Sequence, residues 1–235
     1  MHESSPSDTR RSTSRPSNAT VVISRFKSAG SIVAAKLRLP FVALTVSAWL
    51  YGCGSLIPEQ DKIEAVRAVN DDFCKAYEQI MHEEGTRSFR ADETQAFIAM
   101  DSALRQLGMR IEAQDSSVGY IRSVAPAPKP LTSEEWQQAA EKDLPRMHAI
   151  IVEHVGVLGY LAPFEPEGLE ILINVTTFQR SAEVEVTASM RMRPVVEPKT
   201  GWPRRECPPP TAMRMGLAKF WSTFEKELER VQAIQ

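Results

Sequence analysis

Three cysteines and four histidines carry most of the chemistry that this chain's residue types offer. His82-Glu83-Glu84-Gly85-Thr86 opens like H-E-x-x-H, in which two imidazoles one helical turn apart hold zinc and the glutamate takes a proton. Thr86 occupies the place of the second imidazole, and Gly85 interrupts the helix that would align the pair. The motif is therefore rejected. His148 and His154 stand six residues apart. On a helix that spacing turns roughly 600° and splays the two rings by about 120°. Both are expected to be solvated or core histidines. There is no Gly-x-Ser-x-Gly elbow and no glycine-rich phosphate loop. Cys207, between Glu206 and the run Pro208-Pro209-Pro210, has no helix start read beside it to favour a thiolate. The expectation is a non-enzymatic protein with no catalytic residue, no metal site and no cofactor.

The one tetrad with specific chemistry is Leu50-Tyr51-Gly52-Cys53. It closes an uncharged apolar run, residues 39–52, which follows Lys36 and Arg38. A basic flank and an apolar stretch of this length form an export signal, too short for a comfortable membrane span. The tetrad resembles the lipobox of bacterial lipoproteins, a leucine and two mostly small residues before an obligatory cysteine. Tyr51 stands where a small residue is usual. The resemblance implies cleavage before Cys53, acylation of its thiol, and membrane attachment through that lipid. Gly54, where an aspartate would favour the inner membrane, implies the outer membrane. Each buried acyl CH₂ contributes about 0.8 kcal/mol, so several chains on one cysteine make a durable anchor.

Charge divides the chain at the same place. Residues 1–38 hold seven basic groups against Glu3 and Asp8, whereas residues 53–235 hold 21 basic and 28 acidic groups. An acidic domain repels phosphate backbones, so nucleic acid is not an expected partner. The Ser/Thr/Arg/Pro-rich tail 1–38 lacks a sustained apolar face and is expected to be disordered. Arg10-Arg11 lies too far ahead of the apolar run to make a twin-arginine signal. Residues 53–58 form a tether. Cys74 and Cys207 then remain as a pair, either a disulfide of an oxidising periplasm or two separate thiols.

The elements that position these residues follow from periodicity. Residues 59–84 place Ile63, Val66, Phe73, Tyr77 and Ile80 at helical spacing, and Gly85 stops the run. A short strand is expected over 86–91. Asp92 with Gln95, and Thr132 with Glu135, form capping boxes that start two further helices. Between those helices, 109–114 and 118–125 read as a hairpin. Pro145 should kink or divide the helix carrying Trp136. Residues 150–161 are apolar, with helix or loop left open near their end. In 183–192, Val184, Val186, Ala188, Met190 and Met192 alternate with Glu183, Glu185, Thr187, Ser189 and Arg191, which pairs this strand with 169–178 as a hairpin. Met213, Leu217, Phe220, Phe224, Leu228 and Val231 line a last helix, with Glu225, Glu227 and Glu229 mainly on its other side.

The expected fold over 59–235 is a two-layer α+β domain, an antiparallel sheet of four or five strands against helices. The 92–125 passage and the closing helix around Phe220, Trp221 and Phe224 resemble bacterial envelope lipoproteins whose domains are similar to BamC-type helix-grip modules. That resemblance implies an outer-membrane protein facing the periplasm that contacts another envelope protein. It transfers no catalytic residue. In the proline-rich loop 194–210, Trp202 beside Arg204 and Arg205 forms an aromatic–cationic cluster suited to partner or glycan binding, or to packing over the sheet. Two other classes stay open, a periplasmic hydrolase and a carrier of an apolar ligand.

Overall fold

The computed structural model describes residues 57–164, 168–196 and 201–234. The expected export signal 39–52 and Cys53 lie outside these ranges. Periodicity and capping yield the elements in the expected order. Helix α1 (Glu59–Glu84) precedes strand β1 (Thr86–Phe89). Helix α2 (Glu93–Gln106) starts at Asp92, whose carboxylate accepts from the Gln95 amide at 2.7 Å, while the Gln95 side chain accepts from the Asp92 amide. Strands β2 (Arg110–Asp115) and β3 (Tyr120–Pro126) form the first hairpin. Helix α3 (Ser133–Val155) opens with the second reciprocal box, Thr132 and Glu135. A 3₁₀ turn, Gly156–Leu161, follows it. Strands β4 (Leu169–Arg180) and β5 (Glu183–Pro194) lead to helix α4 (Pro210–Gln232).

Helix α3 continues through Pro145, so the division that was one of the two outcomes expected there does not occur. Pro145 and Glu141 both face solvent, so water can satisfy the carbonyl that the missing N–H leaves free. Asp143 and Arg146, on either side of the proline, are tied to α4 and α1 respectively.

All five strands pair antiparallel in one open sheet, ordered β1-β5-β4-β3-β2, and with four helices they make an α+β fold. Alternation selects the buried face. Ile121, Ile171, Ile173, Val175, Val184, Val186, Ala188 and Met190 meet Met100 and Leu104 of α2 and Leu217, Phe220, Trp221 and Phe224 of α4. Burying each large apolar side chain contributes about 1.5–3 kcal/mol. Glycine is required at one hairpin turn: Gly119 has φ +60, and a Cβ there would collide with the Thr177 hydroxyl.

Helix α3 contributes nothing to that core. It builds a second one with the first half of α1, in which Ala65, Val69 and Phe73 meet Trp136, Ala139, Met147 and Ile151. Side-chain ties give the directions of these helices. Cys207 joins Cys74, and further along both chains Arg214 pairs with Glu83 and Glu84 at 3.4 and 3.2 Å. Helices α1 and α4 therefore run parallel. Thr211 bonds Asp143, while Lys219 pairs with Glu135 at 2.6 Å, so α3 runs opposite to α4 and hence to α1. The carboxyl end of α3 thus lies at the amino end of α1.

Candidate functional site

The loop before α4 is fastened to α1 at three points, and the first turn of α4 to α3 at a fourth. Cys74 of α1 and Cys207 are bonded, with Cα atoms 5.3 Å apart. The Glu206 amide donates to Asn70 Oδ1 at 2.8 Å. Lys62 of α1, 8% exposed, donates to the Gly201 carbonyl at 3.1 Å. Asp143 of α3, 5% exposed, accepts from the Thr211 amide at 2.8 Å and its hydroxyl at 2.7 Å. That carboxylate sits on the first turn of α4, where the open amides and helix dipole favour negative charge. Helix α4 begins only three residues past Cys207, closer than the proline run led us to expect. The proximity serves packing, since the sulfur is bonded.

Of the two expectations for Trp202, Arg204 and Arg205, partner binding or packing, the contacts of these side chains are packing contacts. All three are half-buried. Trp202 packs against the second core, over helices rather than over the sheet. Arg204 donates to the Val196 carbonyl. The Arg205 guanidinium lies 4.7 Å from the Phe164 ring centre and contacts Met147 Sδ at 3.2 Å. Desolvation pushes its pKa down to about 10, with the Asp143 charge opposing that fall. Because the folded value lies below the usual one, burying this cation costs stability at neutral pH, and the cost is relieved only above about pH 10. These residues hold the loop in place.

Beside the disulfide lies a cleft of about 430 Å³ between α1, α3 and the start of α4, bordered by Asp72, Lys75, Gln79, Arg146 and Arg214. Arg146 grips Asp72 through both carboxylate oxygens, at 2.6 and 2.7 Å. Charged groups dominate the walls of this cleft, with Asp72 and Arg146 paired across it, which suits polar contact better than an apolar ligand. The space between sheet and helices is filled: Phe220 and Phe224 are 0% exposed and Trp221 1%. The histidines are scattered. His82 and His154 are exposed, while His148 contacts the Ala162 carbonyl at 3.3 Å. Among the described residues, no three His, Cys, Asp or Glu side chains gather as a metal site would require.

A further surface is the other face of the sheet. It carries Tyr120 and Arg122 of β3, Asn174 and Thr176 of β4, and Thr187, Ser189 and Arg191 of β5, aligned by the pairing register. Arg122 Nε donates to the Tyr120 hydroxyl at 2.9 Å, and that hydroxyl to Asn174 Oδ1 at 3.3 Å. Arg193 pairs with Glu170 at 2.7 Å across the same face. At its far end Phe178 is 63% exposed under the Arg180 guanidinium, 5.7 Å from the ring centre. Among the described residues, none of these side chains belongs to either core.

Sequence reasoning missed Asp143 and Glu227. Both fall on apolar stripes, Asp143 between Ala139 and Met147, Glu227 between Phe224 and Val231. A carboxylate at a stripe position was the available signal. Glu227 was placed mainly on the outer side of its helix, whereas it is 5% exposed and accepts from Ser102 at 2.5 Å, from Gln106, and from Arg230 at 2.6 Å.

No protein-family model, no curated protein and no solved structure matches the chain.

Proposed function

We propose that this chain is a lipid-anchored envelope protein, attached through Cys53 to the outer membrane and facing the periplasm. In this reading its domain is a non-enzymatic helix-grip module of the BamC kind that binds another envelope protein. The observation that carries the reading is the Cys74–Cys207 disulfide. A disulfide persists in an oxidising compartment, and this one leaves Cys53 as the single thiol available for acylation. The partner surface in this reading is the polar outer face of the sheet. Tyr120, Arg122 and Phe178 are of types enriched at protein interfaces, and they stand on strands that hold them rigidly. The filled core favours this reading over a carrier of an apolar ligand.

The test is fractionation of cells expressing the wild-type chain and Cys53→Ala. The wild type should sediment with outer membranes at the mass of an acylated protein shortened to Cys53. The variant should move to the soluble fraction. A variant that still sediments, with wild type retained at full length, would overturn the anchor.

A further inference from the structure

We propose that the 3₁₀ turn Gly156–Leu161 is a second membrane contact, dipping its apolar side chains into the lipid surface to which Cys53 is attached. The inference rests on the anchoring reading above and adds the orientation of the domain. Val157 is 77% exposed, Tyr160 61% and Leu161 72%, a local cluster of apolar exposure. Exposed apolar groups gathered in one place mark a contact surface, whereas single ones do not. The turn is built rigidly. Gly156 ends α3 at φ +65, and Gly159 lies so close to α3 that a Cβ would stand 2.9 Å from the Val152 nitrogen. The Tyr160 ring meets His148 edge-on at 5.4 Å, and His148 contacts the Ala162 carbonyl at 3.3 Å. The apolar side chains are therefore held outward while the backbone folds back on the helix.

Position identifies the occupant. Because α3 runs opposite to α1, the turn begins at Gly156 toward the amino end of α1 and folds back along α3 until Tyr160 meets His148. Arg146 and Asp72 mark one level on the two helices. From there Val155 is about 13 Å along α3, and Glu59 about 20 Å along α1, at 1.5 Å per residue. Only residues 54–58 separate Glu59 from Cys53. Five residues span at most about 18 Å, so a lipidated Cys53 keeps this end of the domain close to the bilayer. The turn Gly156–Leu161 itself carries no formally charged residue. Nearby Glu59, Asp61 and Glu64 add negative charge, so apolar burial rather than attraction to anionic lipid drives the contact. The tyrosine, apolar in body and polar at its tip, suits the headgroup level.

The full-length lipidated protein would be reconstituted into phosphatidylethanolamine–phosphatidylcholine vesicles. An environment-sensitive fluorophore would be carried at Leu161→Cys or, as a control on exposed α4, at Ser222→Cys, with quenchers attached to the lipid chains. Both positions are exposed, so neither label disturbs the core. The expected result is quenching several-fold stronger at 161 than at 222, unchanged by high salt and abolished by adding Val157→Asp and Tyr160→Asp. Equal quenching at both positions, in protein that floats with the vesicles and carries acylated Cys53, would overturn the membrane contact and leave the anchor standing. Shielding of the 161 label that grows with protein concentration without lipid would overturn it in favour of a second copy. A protein neither acylated nor floating would overturn both readings.

Discussion

Cys74 and Cys207 are 133 residues apart, and the bond between them closes a loop that contains every strand. Cross-linking so long a loop restricts the unfolded chain strongly, and loss of such a bond typically costs about 2–5 kcal/mol. Reduction, or the double change Cys74→Ser and Cys207→Ser, should lower the melting temperature by about 4–20 °C at 2–4 °C per kcal/mol. Scanning calorimetry with and without reductant checks this. The loop residues show where reading by residue type stops. Composition identified Trp202, Arg204 and Arg205 as an unusual group, and the structure does bring them to one loop. Whether an aromatic–cationic run faces solvent depends on what lies opposite, here Phe164 and Met147, which are distant in sequence.

Helices and strands were legible wherever the signal was local. Both capping boxes hold reciprocally, and the strict alternation over 183–192 gives β5 with its apolar side chains inward. The assignment of helices to layers was not legible. Amphipathic stripes look alike whether they face a sheet or another helix, so nothing local separated α3, which joins only the second core, from α2, which joins only the first. The buried carboxylates likewise become intelligible only at this scale. Glu227 ties α4 to α2, and its bond from Ser102, aided by Gln106 and Arg230, holds its pKa below the usual carboxylate value of 4.5. A carboxylate so lowered adds stability that is complete above the ordinary value and lost as pH falls through the folded one. Glu227→Gln should therefore cost about 1.5–3 kcal/mol near neutrality, the range for a hydrogen bond to a charged group, and the cost should shrink below about pH 4.5. Denaturant melts at neutral and acid pH provide the measurement. The Arg230 contribution is reduced by its exposure.

At the scale of the molecule, the proposed anchoring puts the membrane on the α1 side of the domain and leaves the outer face of the sheet open to a partner. A partner bound there should depend on the side chains projecting from it. We expect Arg122→Glu combined with Phe178→Ala to remove most crosslinks to an envelope partner in intact cells while leaving membrane fractionation unchanged, since both residues are exposed. Crosslinks that survive the double change would place the partner elsewhere, and the charged cleft beside the disulfide would be the next surface to alter. Under the proposed anchoring through Cys53, the disulfide has a further consequence. A pull between the lipid and the far end of α4 passes along α1 only to Cys74, then across to Cys207 and out through α4. All five strands lie off that line of force. About 450 Å of chain, at some 3.5 Å per residue, cannot be drawn out while the bond is intact, so a load able to strip the helices would leave the sheet under no direct tension.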